Sequence, residues 1–173
     1  KGIQADLQAA IHEYKASIAI DPDFPMAYLG VCQCFIYLSS GNFIDRMKGM
    51  FMAYHFLSKV GANREHIPEY DFTKGLFHFL GKWEFSIAER YFSKAIALNP
   101  NYSEAMQMMA NVQMAVGRFK EAHAFIERAL QLDPNAESNH FTKASISYFS
   151  GDFRIALSYL KQVTAFNSDL NRA

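Results

Sequence analysis

The chain has 173 residues, half of them apolar, and its 17 basic and 17 acidic side chains give a formal net charge of zero at pH 7. Without an excess of cations to neutralise phosphates, direct nucleic-acid binding is not expected. No apolar run approaches the roughly 18 residues that a membrane-spanning helix needs, so no membrane partner is expected. Two cysteines cannot form a disulfide framework, and a cytoplasmic location is therefore expected.

Proline and glycine divide the chain into segments whose lengths and apolar spacings predict helices and no strand. Within 103–116, for example, Met106 and Met109 lie three residues apart on one helix face, and Gly117 suits a left-handed helix end. Pro134 ends the following segment because it lacks the amide that a continuing helix needs. In chain order, the predicted helices cover 4–20, 25–40, 42–60, 67–80, 84–97, 103–116, 119–132, 137–150 and 153–166.

The same pattern returns at a fixed spacing along the chain. Pro100 and Pro134 are 34 residues apart, and so are Gly117 and Gly151. A period of this length is typical of helical repeats, in which each helix pair buries its apolar face against the next pair. Small residues seven positions apart allow the two helices of a pair to approach closely, and they are Ala88 with Ala95, Ala122 with Ala129, and Ala10 with Ser17.

These residues resemble the signature of the tetratricopeptide repeat. The match is closest over 103–136, where the family's pattern is met by Ala110, Gly117, Phe119, Ala122, Ala129 and Pro134. The sequence from Trp83 to Ala122 is also similar to repeat regions of bacterial multidomain regulatory proteins. The resemblance implies an all-α fold, a right-handed α-α superhelix or solenoid of about nine antiparallel helices with no sheet.

The resemblance also implies how the solenoid is divided. One solenoid domain over 1–173 is expected, and its parts are a half repeat over 1–24, a divergent repeat with a long linker over 25–66, and repeats over 67–102, 103–136 and 137–170. A bend is expected near 58–68. Because the chain starts at Lys1, we expect a fragment of a longer protein. The last helix lacks a polar cap, which predicts flanking sequence or a homodimer through the uncapped solenoid ends.

In the family, the first helix of each repeat lines the concave side of the superhelix, and this placement implies the residues that bind a partner. They are Met26, Leu29, Gln33, Ile36, Tyr37, His78, Phe79, Gln107, Asn111, Met114, Phe141, Ser145, Tyr148 and Phe149. The set is rich in aromatic, thioether and amide groups and has almost no charge. Gln107 stands where family members that hold a C-terminal carboxylate have a cation, so no such clamp is expected.

The resemblance implies a protein–protein interaction module that binds an apolar or aromatic peptide or helix in its concave groove, within a larger regulatory protein. An alternative is a ligand-sensing domain of a bacterial transcriptional regulator or cyclase, which would control an attached output domain. In a third interpretation, a neighbouring part of the same protein covers the groove.

No group of residues in the sequence predicts catalysis, a metal site or a cofactor. Cys32 and Cys34 are two apart on a predicted helix, so their side chains point about 200° away from each other, whereas zinc needs four convergent ligands. His66 with Glu65 and Glu69 fits helix capping and solvated charges better than a catalytic cluster. We therefore expect a protein that is not an enzyme.

Overall fold

The structure is a computed structural model that describes residues 2–61 and 66–170, and side chains up to residue 164. Within these residues it contains nine α-helices, a short π-helical segment and no strand, which confirms the predicted all-α fold. The helices are α1 (Ile3–Ile20), α2 (Pro25–Ser40), α3 (Arg46–Ser58), α4 (Pro68–Leu76), α5 (Phe85–Leu98), α6 (Ser103–Ala115), α7 (Phe119–Leu132), α8 (Glu137–Phe149) and α9 (Phe153–Leu170). The π-segment (Phe77–Lys82) follows α4 directly.

The helices pack into two compact units, Lys1–Leu98 and Asn99–Ala173. In the first unit, α2 packs against α1, α3 and α4, and α4 packs against α5. In the second, α6 packs against α7, and α8 packs against α6, α7 and α9. A single domain over the whole chain stays a prediction, and the bend expected near 58–68 lies partly outside the described residues. Across 2–61 and 66–170, no helix combines the length and apolar character required to cross a bilayer.

Proline and glycine set the helix ends much as the sequence predicts. Pro25 and Pro68 begin α2 and α4, where the missing amide costs no intrahelical hydrogen bond. Gly117 and Gly151 follow α6 and α8 with φ angles of 77° and 92°, which glycine adopts without strain from a Cβ. The predicted helix ends at these two glycines are confirmed.

The predicted helix over 42–60 begins too early. Asn42 adopts a left-handed φ of 58°, so the chain turns there instead of entering a helix. The helix begins at Arg46, and the side chain of Asp45 caps it by accepting a hydrogen bond from the Lys48 amide at 2.8 Å. The local carboxylate cap decides this boundary.

The end of the predicted helix over 67–80 is also wrong. The chain widens into the π-segment after Leu76 and continues to Lys82, and Trp83 then ends it with a φ of 61°. A left-handed conformation is rare for a residue as large as tryptophan. The wider winding changes the register of every side chain between α4 and α5.

Small residues make the close helix contacts that the sequence predicts. Ala88 and Ala95 are fully buried on α5, on either side of the fully buried ring of Phe92. A Cβ on Gly75 of α4 would come within 2.5 Å of that ring, so the absence of a side chain there is what lets α4 lie against α5. Ala122 repeats the buried small contact on α7.

Candidate partner-binding surface

Helix α8 exposes aromatic side chains on one side of the second unit. Phe141, Tyr148 and Phe149 are 56%, 58% and 63% exposed. Phe141 and Tyr148 are seven residues apart, which places them two turns apart on one helix face. The Tyr148 ring meets the rings of Phe149 and Phe153 edge to face, with centroids 5.4 and 5.5 Å apart. We call Phe141, Tyr148 and Phe149 of α8, together with Phe153 at the start of α9, the α8 aromatic cluster.

The other side of α8 holds the helix in place and fixes the direction of the exposed rings. Asn139 is buried, and its Nδ2 donates hydrogen bonds to the Ala129 carbonyl at 3.3 Å and to Ser103 Oγ at 3.2 Å. Ala144 and Ile146 are buried in the same core. Since these contacts anchor α8 to α6, α7 and α9, its exposed rings are left facing water.

Two glutamines of the candidate set are used inside the fold. Gln33 Nε2 of α2 donates to Thr73 Oγ1 of α4 at 2.7 Å, within the first unit. Gln107 Nε2 of α6 donates to Thr142 Oγ1 of α8 at 3.1 Å, within the second, and both of these side chains are buried. The same amide-to-hydroxyl bond therefore joins successive first helices in both units. Gln107 is corrected from a partner contact to a structural one.

Two apolar residues of the candidate set belong to the core. Leu29 is 1% exposed and Ile36 is fully buried, because α2 is covered by α1, α3 and α4. Neither can contact a partner unless these helices separate, so both are withdrawn from the surface. The candidates of α2 and α6 that keep partial exposure are Met26, Gln33, Tyr37, Asn111 and Met114. Ser145 of α8 is also partly exposed, and its Oγ donates a hydrogen bond to the Phe141 carbonyl at 2.9 Å.

His78 and Phe79 lie on the π-segment, whose register the sequence could not give. His78 Nδ1 pairs with Glu84 Oε2 at 2.6 Å, and its imidazole stacks on Tyr91 of α5 with 5.4 Å between centroids. Phe79 contacts the ring of Phe85, with centroids 5.9 Å apart. Both side chains therefore connect the π-segment to α5, and His78 also contacts Glu84, which directly precedes that helix.

The second unit also buries a lysine between α7 and α8. Lys143 Nζ donates to Glu127 Oε1 at 2.7 Å and lies 3.0 Å from His123 Nδ1. Burial, together with the Lys143 charge, lowers the pKa of His123 below its ordinary 6.5, although Glu127 and Asp152 oppose the shift. The hydrogen bond from Lys143 lowers the pKa of Glu127.

We expect acid to weaken the second unit through His123. A histidine whose folded-state pKa lies below its unfolded value contributes stability that is fully present above pH 6.5 and lost as the pH falls through the folded-state pKa. The urea midpoint should therefore fall between about pH 7.5 and about pH 5.5, and His123→Gln should reduce that fall. His12→Gln, at an exposed site, is the control. Equal pH dependence in both variants would contradict the assignment.

The cysteines and histidines do not assemble a reactive centre in the part of the chain that the structure describes. Cys32 and Cys34 are free and buried, and burial raises the pKa of the Cys32 thiol, which keeps it protonated. Within the described ranges, no three histidine, cysteine, aspartate or glutamate side chains come together as metal ligands. Glu65, named with His66 in the sequence analysis, lies outside the described residues.

Sequence reasoning missed two surfaces of the first unit. Met47, Phe51 and Tyr54 form an exposed apolar stripe along α3, and their spacing of four and three residues is a signal that could have revealed it. The second is a cavity on the α4–α5 pair, lined in part by Lys74 and Lys94. Those lysines come from different helices, so no local motif marks the cavity.

Comparison with known proteins agrees with this architecture. A model of the tetratricopeptide-repeat family matches residues 85–144. Tetratricopeptide repeat protein 6 of Homo sapiens is 27% identical over 135 residues, which make up 78% of this chain and 24% of that protein. The chain therefore spans about a quarter of the length of that human protein.

Solved structures with low sequence identity share the fold. TTC0263, a thermophilic tetratricopeptide-repeat protein of Thermus thermophilus, has a TM-score of 0.76 at 16% identity, covering 91% of this chain and 81% of its own. MamA has a TM-score of 0.65 at 18% identity, and the match covers 100% of this chain and 99% of MamA. YrrB, a tetratricopeptide-repeat protein with an unusual peptide-binding site, has a TM-score of 0.57 at 17% identity, and the match covers 95% of this chain and 80% of YrrB. These structures and the repeat match over residues 85–144 together show that the chain has the fold of tetratricopeptide-repeat proteins.

Proposed function

We propose that this domain is a protein-interaction module that binds an apolar, aromatic-bearing helix or extended peptide through the α8 aromatic cluster. The observation that carries the proposal is the exposure of Phe141, Tyr148 and Phe149, each more than half open to water. Large rings left in water beside one another mark a contact surface more often than scattered apolar residues do. A partner that covers the cluster would remove a large apolar surface from water, which would favour binding.

The chemistry of the cluster selects the kind of partner. Its four members carry no formal charge, and its only polar side-chain group is the Tyr148 hydroxyl. Rigid aromatic side chains are the residues that contribute most to protein interfaces. An acidic or basic partner segment would find no opposite charge in the cluster, whereas an apolar segment would be desolvated against the rings. We therefore favour a partner with aromatic or aliphatic anchors.

The comparisons support the class of function. YrrB is a protein of the same fold with a peptide-binding site, and the long human relative contains far more than this domain. We propose that the domain belongs to a larger regulatory protein of the cytoplasm, a location consistent with its two free cysteines. We propose no catalytic role, since His78 and His123 are occupied by the contacts described above.

The proposal includes self-association through α9 as a second interaction. Ile155, Leu157 and Leu160 are exposed along this helix, at 45%, 55% and 41%. Ile155, two residues before Leu157, points to the other side of the helix, whereas Leu157 and Leu160 share one face. An end-to-end homodimer would cover them.

A peptide display library tests the binding surface directly. The domain should select peptides rich in aromatic and aliphatic residues, and the Phe141→Ala, Tyr148→Ala double variant should bind the selected peptides about 10–100-fold more weakly, because aromatic anchors dominate interface energies. Dissociation constants measured by fluorescence anisotropy check this result. A matched control, Phe51→Ala with Tyr54→Ala, removes two equally exposed rings from α3. Unchanged affinity in the α8 variant, or equal losses in both, contradicts the proposal.

The second candidate is the ligand-sensing domain that would control an attached output domain. A specific feature favours it: the cavity on the α4–α5 pair, with a volume of about 560 Å³, falls within the range of roughly 300–1,000 Å³ typical of small-molecule sites.

A further inference from the structure

The cavity on the α4–α5 pair is lined by side chains of these two helices, which also carry all of its charged groups. Tyr70, Asp71 and Lys74 follow one face of α4, and Tyr91 and Lys94 face them from α5. Ala97 and Leu98, toward the end of α5, add an apolar wall. Rigid helices position side chains more closely than loops do, so this lining is suited to hold a ligand.

Two ammonium groups converge beside one ring in this cavity. Lys74 Nζ lies 4.4 Å from the centroid of Tyr91, and Lys94 Nζ lies 5.6 Å from the same point. The stacking of His78 on Tyr91 holds that ring in place. Neither lysine forms an ion pair within residues 2–61 and 66–164, where side chains are described. The carboxylate of Asp71 interacts electrostatically with both lysines, so one positive charge of the pair is left for an anion to balance.

A carboxylate completes the cavity. Asp71 is only 8% exposed, and in the described part of the chain it forms no hydrogen bond and no ion pair within 4 Å. Burial raises the pKa of Asp71, although Lys94 and Lys74 partly oppose the shift. Burial disfavours the charged form of this carboxyl, which costs stability unless opposite charges or donors compensate for it. Stability is often lower at functional sites, where the groups that reduce it serve a ligand.

We propose that this cavity binds a small acidic amino acid of the chemical class of glutamate and aspartate. The two carboxylates of the ligand would lie beside Lys74 and Lys94, and its ammonium would donate hydrogen bonds to Asp71. With these three side chains ionised, the cavity carries a charge of plus one, which the ligand's net charge of minus one balances. The methylene groups of the ligand would lie against Tyr70 and Leu98. The site is separate from the α8 aromatic cluster, so either proposal can fail without the other.

Three ligands that differ by one group each test the assignment in isothermal titration calorimetry. Glutamate carries both carboxylates and the ammonium, glutarate lacks the ammonium, and glutamine lacks one carboxylate. We expect glutamate to bind with a dissociation constant at or below about 1 mM and the other two at least about 10-fold more weakly. A peptide that begins with glutamate is titrated in parallel. No binding of glutamate, equal binding of all three ligands, or tighter binding of the peptide overturns the proposal.

Variants assign the binding to the cavity. Asp71→Asn should abolish the preference for glutamate over glutarate, and Lys74→Met with Lys94→Met should lower glutamate affinity at least about 10-fold. Lys120→Met, at an exposed lysine of the second unit, is the control and should bind glutamate normally. An unchanged preference for glutamate over glutarate in Asp71→Asn, or unchanged glutamate affinity in the double lysine variant, overturns the proposal.

Unfolding of Asp71→Asn separates a folding defect from a loss of binding. An acid whose pKa is raised by folding destabilises the folded state once the pH exceeds its unfolded value, here 3.8. Without ligand, Asp71→Asn should therefore be at least as stable as the wild type at neutral pH. A variant that unfolds more readily would contradict the assignment of Asp71 as a ligand-binding group, because the carboxylate would then be needed by the fold.

Discussion

Phe92→Ala is expected to lower the free energy of unfolding of the first unit by about 3–5 kcal/mol, the cost typical of removing a buried phenylalanine ring. Phe92 is fully buried, and its ring contacts that of Phe72 with centroids 5.8 Å apart. Gly75 lies against it so closely that a Cβ there would come within 2.5 Å of the ring. Because the backbone of α4 is already near α5, the helices cannot close much further to fill the cavity that alanine leaves.

Urea unfolding followed by circular dichroism measures this loss, and Phe51→Ala provides the matched control. Phe51 is 68% exposed on α3, so its removal should change the free energy of unfolding by less than about 0.5 kcal/mol. Similar losses in the two variants would show that the α4–α5 contact does not depend on the Phe92 ring. Loss of the circular dichroism signal at zero urea in Phe92→Ala alone would agree with the expected size of the effect.

The fold could be predicted because the residues that begin and end its helices act locally. Pro25, Pro68, Gly117 and Gly151 stop or start helices through their own backbone chemistry, which needs no knowledge of the neighbours. The spacing of small residues similarly follows from the distance between two helices. These signals lie within a few residues of the features they determine, so a single sequence reveals them.

The candidate site was harder to predict because it depends on which helices cover each face. Leu29 and Ile36 have the apolar character of a groove residue and of a core residue alike, and α1, α3 and α4 decide between the two. Gln107 has the same ambiguity, since only the position of Thr142 on α8 shows that its amide is already hydrogen-bonded. On α8, by contrast, Phe141 and Tyr148 are exposed as the prediction required.

The cavity on the α4–α5 pair could not be predicted from the sequence either. Lys74 and Lys94 are 20 residues apart in the sequence, and each looks like an ordinary solvated charge of a surface helix. Only the packing of α4 on α5 brings both beside the Tyr91 ring. A site formed by side chains of two helices has no sequence pattern of its own, whereas a loop motif does.

The π-segment depends on a distant side chain as well, and this leads to the second large effect expected. Arg46 of α3 donates hydrogen bonds from Nη2 to the carbonyls of Leu80 and Gly81, at 3.0 and 2.9 Å. Carbonyls at the end of a helical segment lack intrahelical donors, so the guanidinium satisfies groups that would otherwise be unpaired. It also lies over the Trp83 ring, 5.6 Å from its centroid, where Trp83 ends the segment in a left-handed conformation.

Arg46→Ala is therefore expected to lower the free energy of unfolding of the first unit by about 1.5–3 kcal/mol, the range for hydrogen bonds to charged groups. Urea unfolding measures the loss, and the fluorescence of Trp83, the single tryptophan of the chain, reports the local change. Arg46→Lys should recover only part of the stability because an ammonium lacks the planar fork of donors. Lys48→Ala, at an exposed site on the same helix, should have almost no effect. If Lys48→Ala and Arg46→Ala destabilise equally, general charge rather than capping of the π-segment would explain the role of Arg46.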